Sequence, residues 1–234
     1  MASQSRVVMI TGAAGNLGRA VAQAFAEGGD RLVLVDLRAD ALAGAFGTDT
    51  PAQLLVAANL LEQEQARHAV QSAVDRFGRL DVLCNLAGGF RMGEAVHETS
   101  DATWNFLFDL NARSLLHAVQ AAVPRMLELG GGKVINVGAF SAQKGAAQMG
   151  AYTASKAVVI RLTEAMAAEL RERGINVNCV LPTVIDTPEN RRAMPGVDPA
   201  KWVAPHDLAG VIRFLASDAA RAIHGAAIPV TGLS

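Results

Sequence analysis

Seven short apolar runs punctuate the chain: Val7–Ile10, Leu32–Val35, Leu54–Ala57, Leu80–Cys84, Val134–Val137, Ile175–Val180 and Ala227–Val230. Each is apolar nearly throughout, without the alternation of a half-solvated strand, which predicts parallel strands covered on both faces. Between them, apolar positions recur at helical spacing over Leu17–Glu27, Ala39–Phe46, Glu62–Phe77, Asp101–Leu129, Met149–Arg173 and Pro205–Ala216. Ser100 is the predicted N-cap of the fourth helix, with Asp101 in its first turn. Pro124 is expected to bend that helix, and Gly174 to stop the fifth. Strand–helix alternation along the whole length predicts an α/β fold: a doubly wound parallel sheet of about seven strands with helices on both faces.

Composition sharpens this picture. The 234 residues are 51% hydrophobic and only 5% aromatic, and they are rich in Ala, Val, Leu and Gly. Such a chain packs helices closely against a sheet. No linker, repeat or low-complexity segment divides it, so one domain over residues 1–234 is expected. The net charge of −1 comes with no basic stripe, which argues against a nucleic-acid partner. No apolar run approaches the roughly 18 residues needed to span a bilayer. Met1 to Arg6 carry no signal-peptide pattern, and a cytoplasmic protein is expected. Cys84 and Cys179 lie inside apolar runs, as buried free thiols in a reducing compartment do, and no ligand spacing suggests a metal. The histidines (68, 97, 117, 206 and 224) are scattered and read as surface or packing residues.

The first strand runs into "TGAAGNLG", Thr11 to Gly18, where a helix begins. A glycine-rich turn in that place brings backbone N–H groups to a pyrophosphate at a helix N-terminus. The second strand ends in Asp36, placed to accept bonds from adenosine ribose hydroxyls and to repel a 2′-phosphate. NAD is therefore the expected cofactor. Arg38, two residues on, keeps NADP possible.

Tyr152 and Lys156 sit at i and i+4 of the fifth helix and share a face. A phenol can donate its proton to a carbonyl oxygen as hydride arrives. A nearby ammonium is expected to lower the phenol's pKa, since two unit charges ~4 Å apart interact by about 4 kcal/mol at an effective dielectric of about 20.

Taken in order, "TGAAGNLG", Asp36, "NLAG" at 85–88, Asn111, "YTASK" at 152–156, "LPTVIDTP" at 181–188 and "PVTG" at 229–232 resemble the short-chain dehydrogenase/reductase family over nearly the full chain. The resemblance implies a Rossmann-type fold and hydride transfer between a nicotinamide cofactor and a small carbonyl or alcohol substrate. It implies Tyr152 as acid/base and also as a cofactor-binding residue, Lys156 also on the nicotinamide ribose, and Asn111 holding a water that links Lys156 to solvent. It places Gly12, Asn16, Leu17 and Gly18 at the phosphates, Asn59 and Leu60 by the adenine, and Asn85, Ala87 and Gly88 along the adenosine side. Pro182, Ile185 and Thr187 would line the nicotinamide. It also implies a homotetramer through the fourth, fifth and last helices and the last strand, with a dimer as second choice.

The chain departs from the family pattern at four places. Asn16 replaces a glycine of the phosphate turn, and the turn is expected to survive because Asn tolerates positive φ. Asn59 replaces an acid beside the adenine, and Leu86 replaces a second asparagine. The usual active-site serine falls on Ala139. Losing that hydroxyl is expected to weaken catalysis without abolishing it, because removing one such donor typically costs roughly 10²–10³ in rate. Ser141 could substitute only if the chain bends back, since in extended chain it lies about 6–7 Å further on.

Phe90, Arg91 and Met92 after the fourth strand, Phe140, Gln143 and Lys144 after the fifth, and Met149 are expected around the substrate opening. Arg91 and Lys144 are candidates for an acidic substrate group. The proline-rich stretch Thr187–Pro205, with Trp202, is a candidate lid. Two other readings stand beside the carbonyl or alcohol oxidoreductase. One is a pteridine- or quinoid-type reductase, because dihydropteridine reductase resembles this site in pairing Tyr and Lys without the serine. The other is a dinucleotide-binding sensor or scaffold with decayed catalysis, against which intact Asn111, Tyr152 and Lys156 argue.

Overall fold

The computed structural model describes residues 5–234, so Met1 to Gln4, where part of the leader reading falls, lie outside the described residues. Seven strands form one wholly parallel sheet: β1 (Val7–Thr11), β2 (Arg31–Asp36), β3 (Gln53–Ala57), β4 (Val82–Asn85), β5 (Gly132–Val137), β6 (Ile175–Pro182) and β7 (Ala227–Val230). Their order is β3-β2-β1-β4-β5-β6-β7. Register places Val8 between Leu32 and Val82, and Thr11 between Val35 and Asn85.

The pleat sends alternate residues to opposite faces, and both faces are apolar. Val7, Met9, Val33 and Val35 belong to a core closed by α3 (Gln63–Phe77), α5 (Ser114–Glu128) and α6 (Gly150–Leu170). Val8, Ile10, Leu32 and Leu34 belong to a second core under α1 (Asn16–Glu27), α2 (Ala39–Phe46) and α8 (Pro205–Leu215). Fully burying side chains of this size stabilises by roughly 1.5–3 kcal/mol each, and the β-branched residues of the Val-rich segments favour the extended chain that places them there. This is the Rossmann-type sheet covered on both sides that the alternation predicts.

β1 has β2 on one side and β4 on the other, so strand progression reverses there. The crevice beyond the carboxyl ends of β1 and β4 is the topological switch point where such sheets take ligands.

Two elements differ from expectation. The fourth predicted helix is not continuous: α4 (Asp101–Phe108) passes through a π-helical segment, Asp109–Arg113, into α5. The interruption falls there, while α5 continues through Pro124. The buried side chain of Asn111 explains the extra backbone width, because it reaches out of the helix to hold a neighbouring loop. The proline-rich stretch is also less irregular than expected. It contains α7 (Pro188–Ala193), and it is tied down by buried Trp202 and by the Val203 amide bonded to Val184 O at 2.9 Å. Ser100 caps α4, its hydroxyl accepting from Thr103 N at 3.2 Å, and Gly174 takes φ +76° after α6. No described helix is long and apolar enough to cross a membrane.

Candidate active site

The turn after β1 is built for backbone to be approached closely. Gly12 holds φ +64°, and a Cβ there would sit 3.0 Å from Ala87 backbone atoms. At Gly18 a Cβ would lie 2.3 Å from Gly12 O, so only hydrogen fits. Asn16 does not use the tolerance for positive φ expected of it. It is the first residue of α1, following Gly15 at φ −71°, so the turn survives its side chain for a different reason: no left-handed conformation is needed at that position. The α1 N-terminus has no side-chain cap and no acid in its first turn. Its first N–H groups and the positive end of its dipole are therefore left for an anion.

Asp36 closes the other side. Its Oδ2 accepts from Ala14 N at 3.0 Å and its Oδ1 from Leu37 N at 2.8 Å, which fixes the carboxylate at the mouth of the turn. Thr11 ties the two strand ends together, its hydroxyl accepting from Leu86 N and Ala87 N, both at 3.1 Å.

These elements bound a cavity of about 620 Å³. Gly12, Asn16, Leu17, Gly18, Asp36, Asn59, Leu60, Ala87, Gly88 and Thr187 line it, all named from sequence. Asn85, Pro182 and Ile185 do not. Asn85 is buried at the end of β4, donating to Asn136 Oδ1 at 2.9 Å, and Ile185 pairs with Val203 across the proline-rich stretch. The glycine cradle, the bare helix start and the oriented carboxylate fit a dinucleotide.

Gly88 joins this cavity to the pair on α6. A Cβ on Gly88 would lie 2.9 Å from Asn111 Oδ1 and 3.0 Å from Lys156 Nζ. The Asn111 side chain is fully engaged. Its Oδ1 accepts from Gly89 N at 2.8 Å, and its Nδ2 donates to Gly89 O at 3.1 Å and Ser155 Oγ at 3.0 Å. Ser155 Oγ in turn donates to Tyr152 O at 2.8 Å. Ser155 lies in the quoted "YTASK" motif, but its spacing alone gave no sign of this bridging contact.

Lys156 is buried and donates to Val137 O at 3.0 Å. Burial pulls its pKa down to about 8. Burial pushes the Tyr152 phenol up to about 12. The expected lowering of the phenol by the ammonium is therefore absent here, because the lysine is turned to a strand carbonyl and desolvation dominates. The Tyr152 ring meets Phe90 edge-on, centroids 4.8 Å apart, and lines a smaller cavity of about 200 Å³ with Arg91, Met92 and Met149. Gln148, which also lines it, is the one described non-glycine residue with positive φ, at 59°.

Ala139 is buried in extended chain at the end of β5. The chain then coils into a 3₁₀ turn over Phe140–Gln143, with Ala142 N bonded back to Ala139 O at 3.0 Å. The bend that Ser141 needs is thus present. Phe90, Met92 and Phe140 are each more than 40% exposed, so the opening carries unusual apolar surface.

Comparison with known proteins gives a consistent family. The short chain dehydrogenase family matches residues 6–197. D-threitol dehydrogenase of Mycolicibacterium smegmatis is 34% identical, the match covering 97% of this chain and 92% of that one. The structure of 3-ketoacyl-(acyl-carrier-protein) reductase from Brucella melitensis complexed with NADH superposes with a TM-score of 0.87 at 28% identity, covering 98% of each chain. Carveol dehydrogenase from Mycobacterium avium in complex with NAD gives 0.88 at 27% identity, covering 98% of this chain and 97% of that one.

Proposed function

The chain belongs to the short chain dehydrogenase family, and from that premise we propose that it is an NAD-dependent oxidoreductase acting on a small alcohol or carbonyl compound, with Tyr152 as acid/base. The observation that carries this reading is Gly88, which lines the nucleotide-sized cavity and abuts both Asn111 and Lys156. A nicotinamide held there would supply or accept the hydride. Tyr152, whose hydroxyl has no partner among the described residues, gives or takes the matching proton at the substrate oxygen. Lys156 holds a cationic, proton-exchanging group one turn beyond it. Asn111 has its side chain committed to Gly89 and Ser155, so in this reading its main-chain carbonyl would hold the relay water.

Charge supports NAD over NADP. The described residues lining the cavity include Asp36 and Asp109 and no Lys or Arg. Arg38, the competing signal, lies 3.4 Å from Asp40. The relatives complexed with NADH and NAD agree with this preference. A cytoplasmic setting is supported by the buried free thiols Cys84 and Cys179. Exposed Val96, Trp104 and Leu116 near α4 and α5, and Phe214 on α8, support a homotetramer over residues 1–234, with a dimer second. Ala139 favours one further reading, a pteridine- or quinoid-type reductase that needs no serine.

Absorbance at the reduced nicotinamide band, with NAD and NADP against alcohols, ketones and quinoid pterins, tests the proposal. Turnover with NAD is expected. Nucleotide binding without turnover on the whole panel would instead identify a sensor.

A further inference from the structure

The lid helix is fastened to the phosphate-binding turn by one hydrogen bond. Asn16 Nδ2 donates to Glu189 Oε2 at 2.7 Å, joining residues 173 apart in sequence. Asn16 is the departure from glycine at the start of α1, and Glu189 lies in α7, two residues after Thr187, which lines the same cavity as Asn16. The surroundings are fully occupied. Asn16 Oδ1 accepts from the Arg19 guanidinium at 3.0 Å, Arg192 stands 3.5 Å from Glu189 Oε1, and Arg191 is held by both carboxylate oxygens of Asp186 at 2.6 and 2.7 Å.

This arrangement places a carboxylate at the rim of an anion cradle. A pyrophosphate on the α1 N-terminus and the Glu189 carboxylate would compete for one small region; exposed Arg192, 3.5 Å from Glu189, offsets that charge only in part, and Arg191 is held by Asp186. We propose that Asn16 and Glu189 form a latch that closes α7 over the phosphate turn and opposes the dinucleotide's pyrophosphate, so that Glu189 sets how readily the nucleotide leaves. The inference rests on the reading of the cavity as a dinucleotide site. The hydrogen bond holds α7 in place and the carboxylate charge opposes the phosphates; by linkage, bound phosphates disfavour that charge by as much as the charge weakens phosphate binding.

The test compares wild type with Glu189→Gln, which keeps the oxygen that Asn16 bonds and removes the charge. Calorimetric titration uses two probes, ADP, which carries the pyrophosphate, and adenosine, which does not. Glu189→Gln should tighten ADP by about 3- to 10-fold, as expected for like charges several ångströms apart near a surface, and the gain should shrink in about 1 M salt. Adenosine affinity should not change. The NADH off-rate, followed by fluorescence, should fall by the same factor. Asn16→Gly, which removes the donor and leaves the charge, should lose the latch without the ADP gain, and trypsin should cut faster at Arg191 and Arg192. Equal ADP affinity in wild type and Glu189→Gln, or an equal gain for adenosine, overturns the latch. Failure of wild type to bind ADP, adenosine and NADH overturns the reading of the cavity itself.

Discussion

Lys156 donates to the Val137 carbonyl oxygen at 3.0 Å and makes no hydrogen bond to Tyr152, one helical turn before it. The two side chains are thus poised separately, each governed by its own burial.

This has a consequence for stability. Burial lowers the Lys156 pKa to about 8 in the folded protein, whereas the unfolded chain titrates near 10.5. Below pH 8 the folded state carries a disfavoured buried charge. Between 8 and 10.5 the unfolded state binds more protons, so wild-type stability rises with pH. Replacing Lys156 with Met removes the penalty and the bond to Val137. Lys156→Met should stabilise the cofactor-free protein at pH 7 by about 1–3 kcal/mol, an advantage that shrinks toward pH 10.5. Urea unfolding at pH 7, 9 and 10.5 measures it, and a variant weaker than wild type at pH 7 would contradict the burial argument.

Tyr152→Phe should separate chemistry from structure. The Phe90 edge contact survives, and the lost hydroxyl has no described partner. Unfolding free energy should stay within about 0.5 kcal/mol, while kcat falls by roughly 10³ or more. NADH affinity should change by less than about 3-fold, since one hydroxyl is a small part of the surface a whole dinucleotide would contact. Wild-type turnover in this variant would remove Tyr152 from the mechanism.

The sheet, its parallel pairing and its two cores were legible because apolar runs of strand length alternate with helical periodicity, and burial enforces that pattern. The cradle was legible through Gly12, Gly18 and Asp36, whose spacing carries a backbone mechanism. Other features were not. The π-helical segment at Asn111 follows from one buried side chain reaching Gly89, which no local periodicity encodes. The role of Ser155 depends on two contacts, one of them 44 residues away. Nor is the raised Tyr152 pKa legible in the sequence, because closeness along a helix does not fix closeness of charge, and burial decides it.

Ala139 and Ser141 make a paired test. Ser141 lies in the 3₁₀ turn that follows β5, and its hydroxyl makes no hydrogen bond among the described residues. Ala139→Ser supplies a donor at the strand end. It should raise kcat on a ketone by about 10-fold or more if the oxygen there lacks stabilisation, given that such donors typically contribute 10²–10³. Ser141→Ala should change kcat by less than about 3-fold. A large loss in Ser141→Ala together with no gain in Ala139→Ser would show that Ser141 already fills the role.

Asp36 is expected to set cofactor choice. Its carboxylate also braces Ala14 N and Leu37 N, so its removal loosens the turn as well as the charge. Asp36→Ser should weaken NADH and shift the NADPH-to-NADH affinity ratio by about 10-fold toward NADPH, because a 2′-phosphate no longer meets a carboxylate. An unchanged ratio would place the adenosine ribose elsewhere.

Gly88 offers the sharpest test of how the cavity and the proposed catalytic pair are joined. A methyl group there would meet Asn111 Oδ1 at 2.9 Å and Lys156 Nζ at 3.0 Å. Both atoms are constrained, one by the clamp on Gly89 and the other by Val137 O. Gly88→Ala should therefore displace the lysine, lowering kcat by about 10- to 100-fold and stability by about 1–3 kcal/mol. Gly44 in α2 is the matched control, with nothing within 4 Å of an added Cβ. Gly44→Ala should stabilise by roughly 0.5–1 kcal/mol, because it only relieves the entropy of glycine in a helix. If Gly88→Ala behaved like Gly44→Ala, with full activity and a gain in stability, the junction between the cavity and the Tyr152–Lys156 pair would have no part in turnover.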